Sequence, residues 1–216
     1  MLKVGLTGNF WSGHNQVAEI FEEKGIHVFD ADLVLKFILL YSNTHIEKIK
    51  SKFGNNIYEK GLLDLKYFDS NSKFDSLLEI VQLDLIKAYE KWRMHKWDYP
   101  YTVFKSSILF EREMDRHMNY NINVCRPAPM RKFDLIHGTQ MSKHTIDFIV
   151  DNEMDENMKS SKSTYTINMG GMESSFHEKS ENLKSQVFNI DRALKNKEVG
   201  NYRDFNRGES YKNMLM

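Results

Sequence analysis

Leu6-Thr7-Gly8-Asn9-Phe10-Trp11-Ser12-Gly13-His14-Asn15 is the stretch on which the fold turns. It follows the short apolar run Leu2 to Thr7 and precedes Gln16 to Lys24, where Val17, Ala18, Ile20 and Phe21 recur at helical spacing. The unit reads as strand, glycine loop, helix. Two glycines with four residues between them supply the backbone half of the phosphate-cradling pattern G-x-x-x-x-G-K-[ST]. In that pattern the chain curls so that successive N–H groups point inward, and the helix N-terminus adds its positive end. The side-chain half is altered. His14 stands where lysine would contact the β and γ phosphates, and Asn15 where a hydroxyl would bind magnesium. An imidazole has an ordinary pKa of about 6.5 and is mostly neutral at pH 7, and an amide offers a metal only a neutral oxygen. Phe10 and Trp11 are bulky where small residues would let a phosphate chain approach. The same ten residues are also compatible with a strand-to-helix turn that binds nothing.

Outward from this loop, Gly25 ends the helix and Ile26-His27-Val28-Phe29 supplies a second apolar run, which makes a βαβ opening. Asp30-Ala31-Asp32 falls at the end of that run, where open α/β sheets place their ligands. From residue 33 to about 94 the pattern is mostly helical, with stretches at Leu33 to Tyr41, Ile46 to Phe53, Leu62 to Phe68 and Phe74 to Trp92. Further strands are expected at 101–105, 120–125 and 163–168, giving five parallel strands in one sheet with those at 2–7 and 26–29. Thr139 to Asn157 reads as a polar helical stretch suited to a mobile cover. A last amphipathic helix carries Leu183, Val187, Ile190 and Leu194, and residues 198–216 read as a flexible tail.

The chain has 216 residues, 41% of them hydrophobic, which is enough for one sizeable core. Its 30 basic and 30 acidic residues cancel, so no global field draws it to nucleic acid or an acidic membrane. No stretch approaches the length of a membrane span, and the opening run is too short for a signal peptide. The single cysteine, Cys125, has no intramolecular partner and sits in an apolar strand pattern, which points to an inert thiol and a cytoplasmic location. The eight histidines show no metal spacing, and no G-x-S-x-G is present.

Leu6-Thr7-Gly8 with Ser12-Gly13, then Asp30-Ala31-Asp32, Phe53-Gly54, Gly61-Leu62 and Leu109-Phe110-Glu111, follow the motif order of dephospho-CoA kinases. The closing Ile167 and Gly170-Gly171 resemble that family's base loop, and the resemblance spans residues 2 to 195. It implies an α/β, P-loop kinase-like three-layer fold with a five-stranded parallel sheet. Residues 1–197 would form the domain, with a helical acceptor-binding insertion near 33–97 and a lid-like segment near 127–160. It also implies ATP and Mg2+ as cofactors and phosphorylation of the 3′-hydroxyl of dephospho-CoA. By the same resemblance Asp30 is the general base, and Gly8, Ser12, Gly13, His14, Asn15 and Arg131 hold the nucleotide, with Asn15 toward the metal. Alternative roles remain for two of these, Asp30 and Arg131. Asp30 and Asp32 can cap the next helix, Asp32 being the expected cap, and Arg131 can be a solvated surface charge.

Several positions depart from the family pattern. Leu83-Asp84 replaces a His-Pro pair, Ser107 replaces a proline, and lid arginines are scarce among Asp147, Asp151, Glu153, Asp155 and Glu156, acids expected to repel a triphosphate. Phosphoryl transfer is therefore expected to be impaired. The rival expectation is a non-catalytic kinase-like binding or assembly factor, which meets protein partners through the loop aromatics and the tail.

Overall fold

The computed structural model describes residues 1–64, 71–96, 98–170 and 176–213. The chain divides into two compact units, one made of Met1–Phe29 with Lys96–Met216 and the other of Asp30–His95.

In the first unit, β1 (Leu2–Gly8) is followed by α1 (His14–Glu23) and β2 (Val28–Asp30). After the second unit come β5 (Tyr101–Lys105), β6 (Tyr120–Cys125), α5 (Ala128–Gly138), α6 (Lys143–Asp151), α7 (Glu156–Lys162), β7 (Tyr165–Asn168) and α8 (Phe176–Asn213). The five strands form one sheet in the order β2-β5-β1-β6-β7, with the strand expected at 26–29 beginning at Val28. β1 lies at the centre and is parallel to both neighbours, with Leu6 opposite Lys105 on β5 and Ile122 on β6. A central parallel strand is covered on both faces, which is why Leu2 to Thr7 reads as an unbroken apolar run.

Alternation along the strands decides which side chains share a face. Leu2, Val4 and Leu6 join Tyr101, Val103, Ile122, Val124 and Ile167 in one core. Val17, Ala18 and Phe21 of α1 and Leu183, Val187, Ile190 and Leu194 of α8 close that core from the helical side. Tyr101 is wholly buried within it and donates to Asp191 Oδ1 of α8 at 2.7 Å, and Lys195 Nζ donates to the other carboxylate oxygen at 3.0 Å.

The lid-like stretch differs from its expectation. Thr139 to Asn157 is not one helix: α6 and α7 are separate, each with its own N-cap. Ser142 accepts from Thr145 N, and Asp155 accepts from Asn157 N and Met158 N. An aspartate that caps a helix satisfies otherwise orphaned N–H groups, and this local gain outweighs helix continuity here. A flexible tail was expected from residue 198, whereas the backbone of α8 continues as helix to Asn213, a stretch without proline. Gly171, in the expected base loop, lies outside the described residues.

The second unit contains α2 (Ala31–Tyr41), α3 (Asn43–Phe53), the two-stranded hairpin β3 (Tyr58–Glu59) and β4 (Leu62–Leu63), and α4 (Asn71–Arg93). Ile49, Ile57 and Leu77 form its buried centre, with Leu39, Phe53, Tyr58, Leu63 and Ile80 packed around them. The helix expected from Leu62 is corrected, because Leu62 and Leu63 pair antiparallel with Glu59 and Tyr58. Lys60 and Gly61 both have positive φ, the signature of a tight two-residue hairpin turn. Phe68 lies outside the described residues.

Replacing Tyr101 with Phe removes the hydroxyl from a buried charge-assisted hydrogen bond and is expected to lower stability by about 1–3 kcal/mol. Urea unfolding checks this, with a lower midpoint and an unchanged slope as the expected result.

Candidate functional site

The loop between β1 and α1 keeps its two glycines for steric reasons visible in the packing. A Cβ on Gly8 would lie 2.2 Å from Ser12 Oγ and 2.7 Å from the carbonyl oxygen of Val124, and the second of these is backbone that cannot move aside. Gly13 has φ 97°, a conformation L side chains rarely adopt, and a Cβ there would also meet Met169 Cε at 2.5 Å. Gly13 precedes α1 without any side-chain cap, so the helix presents its first-turn N–H groups on the loop side. Ser12 is fully buried beneath the loop, and His14 is 8% exposed with its Nδ1 3.4 Å from Ser12 Oγ. The lysine position of the motif is thus filled by a mostly buried ring. Phe10 and Trp11, by contrast, carry their rings outward, and Trp11 takes a positive φ of 63°.

Among the described residues, two cations hydrogen-bond to this loop. Arg131 of α5 is 2% exposed, so it is neither a solvated charge nor extended into open space. Its Nη1 donates to the carbonyl of Phe10 at 2.7 Å and to Glu153 Oε2 at 2.8 Å, while Nε donates to the carbonyl of Arg126 at 2.9 Å. Glu153 closes the circuit by accepting the N–H of Phe10 through its other oxygen. Asn9 Nδ2 adds a bond to the carbonyl of Met154 at 3.1 Å. The outer half of the loop is therefore tied to the segment between α6 and α7.

The acids expected to repel phosphate have other occupations. Asp147 and Asp151 bind Lys132 Nζ at 2.7 and 3.1 Å, Glu156 accepts the N–H of Arg126, and Asp155 caps α7. Each is held by a donor, Asp147 and Asp151 sharing the Lys132 ammonium.

The second cation is Lys105, the last residue of β5, whose Nζ donates to Asn15 Oδ1 at 2.7 Å. Sequence reasoning missed it because Lys105 reads as the polar end of a strand. The usable signal was its parity with Tyr101 and Val103, which puts it on the α1 side of the sheet. This contact bears on magnesium, which needs oxygen donors at about 2.0–2.1 Å in near-octahedral array. Asn15 Oδ1, the atom expected to face the metal, already accepts a hydrogen bond from Lys105.

Gly8, Ser12, Gly13, His14, Asn15 and Arg131 are thus brought together in the first unit. Asp30 belongs to the second, where its Oδ1 accepts from Leu33 N at 3.0 Å and caps α2. The cap is therefore Asp30 rather than Asp32, which lies in the first turn.

The family model for dephospho-CoA kinase matches residues 2–174. The chain belongs to the dephospho-CoA kinase family. A dephospho-CoA kinase of Fusobacterium nucleatum is 27% identical over 170 residues, covering 76% of this chain and 87% of the relative. That of Bartonella quintana is 26% identical over 202 residues, covering 89% and 98%. Among solved structures, a Thermus thermophilus protein superposes with a TM-score of 0.72 at 17% identity, covering 89% of this chain and 96% of its own. Dephospho-CoA kinase from Campylobacter jejuni gives 0.53 at 15% identity over the same shares. These structures share the P-loop kinase fold.

Two outcomes follow from the site's electrostatics. Arg131→Met leaves Glu153 charged against the loop without its partner and is expected to cost about 3–5 kcal/mol in chemical denaturation, with no nucleotide present. A solvated arginine would change stability by no more than about 0.5 kcal/mol. Burial and the neighbouring Glu156 push the Cys125 thiol up to about 11, from 9.0. Its thiolate fraction near neutral pH is lower by about 100-fold, so iodoacetamide should label the folded chain slowly and the denatured chain at an ordinary rate.

Proposed function

We propose that this chain is a divergent dephospho-CoA kinase-like protein that binds a nucleotide or CoA-like phosphate ester at the loop Gly8 to Asn15. In this reading, phosphoryl transfer from ATP to the 3′-hydroxyl of dephospho-CoA is weak. The observation that supports it is the contrast within the loop. Gly13 is left-handed and α1 has no side-chain cap, features a phosphate loop needs, while Arg131 is engaged by Glu153 and the Phe10 carbonyl. Binding by backbone N–H groups needs the shape alone. Transfer needs charge placed on the moving phosphoryl group, and electrostatic stabilisation of that kind dominates phosphoryl transfer.

Asp30 is the proposed base, and Gly8, Ser12, Gly13, His14 and Asn15 are the proposed nucleotide contacts, with Arg131 supporting the loop from α5. A cytoplasmic location belongs to the same reading. A second reading, a non-catalytic assembly factor, is favoured by Phe10 and Trp11, which stand 38% and 42% exposed at the loop. It would use those rings and the segment from residue 198 to meet a protein partner. Calorimetric titration with ATP and then with dephospho-CoA separates the two, since binding of neither leaves only the second.

Asp30→Asn is an informative variant because asparagine caps a helix about as well as aspartate but accepts no proton. The expected outcome is unchanged melting and unchanged ATP affinity, with transfer to dephospho-CoA reduced by about 100-fold or more. Equal turnover would restrict Asp30 to capping α2.

A further inference from the structure

We infer that Glu153 acts as an internal anion on the loop Gly8 to Asn15, so that the phosphate of a ligand gains the loop only by displacing it. The inference rests on the nucleotide-binding reading above and adds its regulation. Its ground is the pair of donors that one carboxylate holds. Oε1 of Glu153 accepts the N–H of Phe10, within the loop, and Oε2 accepts from Arg131 Nη1 at 2.8 Å. Backbone N–H groups and a guanidinium are the donors with which proteins bind phosphate oxygens. All three residues belong to the first unit, so the contact does not depend on how the two units are arranged.

The carboxylate is built into this place. Arg131 is 2% exposed and Glu153 13%, so the pair is shielded from the water that weakens an ion pair at the surface. Arg131 Nη1 also donates to the Phe10 carbonyl, and Asn9 Nδ2 donates to the carbonyl of Met154, the residue after Glu153. The other acids of this stretch are turned to different donors: Asp147 and Asp151 to Lys132, Glu156 to the N–H of Arg126, and Asp155 to the first turn of α7. Glu153 is the acid that reaches the loop.

Its release asks for little rearrangement. Glu153 and Met154 lie between Asn152, which caps the end of α6, and Asp155, which caps the start of α7, so both can leave the loop without unwinding either helix. The exchange is of one anion for another. An incoming phosphate takes up the guanidinium and the N–H, and the Glu153 carboxylate returns to water. Because the ligand meets a neutral Arg131–Glu153 pair in place of a lone guanidinium, the wild-type loop binds phosphate less tightly than its donors allow.

The test compares the wild type with Glu153→Gln in calorimetric titrations with ATP and with adenosine, which carries no phosphate. Glutamine keeps the size and an acceptor oxygen but removes the charge. ATP is expected to bind the variant at least about tenfold tighter than the wild type, and adenosine no tighter. ATP binding by the variant that equals or falls below that of the wild type, or an equal gain for adenosine, overturns the inference and leaves the nucleotide reading standing. Binding of ATP by neither protein overturns both. Hydrogen exchange on the wild type decides the matter if the variant does not fold. Saturating ATP should speed exchange across residues 152–155, because the segment leaves the loop, whereas a ligand that only covered the loop would slow it. Unchanged or slower exchange there with ATP bound overturns the inference.

Discussion

Parallel pairing of β1 with β5 on one side and β6 on the other is the constraint from which the rest of the first unit follows. A strand hydrogen-bonded along both edges and covered on both faces has no freedom of register, because a slip of one residue would turn Leu2, Val4 and Leu6 out of the core. The register that results sets Leu6 against Lys105 and Gly8 against Val124. It fixes the loop's origin and delivers a buried ammonium beside it, and it also brings the Val124 carbonyl so close to Gly8 that no side chain fits there. The site is in this sense an outcome of strand pairing rather than of loop chemistry.

Buried charges recur in this unit, and each is accounted for by a partner. Arg131 is met by Glu153 and two carbonyls, and Lys159 by Glu111 at 2.7 Å and the carbonyl of Ser107. Taking such ions out of water costs several kcal/mol each, so the pairs contribute little net stability, yet removing one partner is severe. Their effect is to hold elements in one arrangement. Arg131 and Glu153 between them grip both the N–H and the carbonyl of Phe10, which makes the phosphate loop and the α6–α7 segment one connected structure. The stretch read from sequence as a mobile cover is bound to the loop it would have covered.

That difference shows how far the candidate site was legible. Gly8, Gly13 and the start of α1 were readable because their demands are local: a left-handed residue, a close approach and a helix N-terminus all lie within a few positions. Asp30 was readable as a residue at a strand end, but which of two nearby aspartates capped α2 depended on where the helix began, a matter of one turn. Lys60-Gly61 carried a hairpin signal that was overlooked because the surrounding residues suit a helix equally well. Glu153 was counted as a repulsive acid, since charge in a sequence carries a sign but no partner.

By itself the sequence determined the strand-loop-helix opening with its two glycines, the five strands and the helical second unit, all from patterns that repeat within one element. Only the tertiary structure decided which distant side chains meet the loop. Lys105 and Asn15 are 90 residues apart, and Arg131 and Phe10 are 121 apart. Hydrogen bonds act over about 3 Å, and nothing in a local pattern encodes which distant polar atoms will come within that range. Sheet register and helix packing make that choice, and here they place one ammonium against Asn15 and one guanidinium beneath the loop.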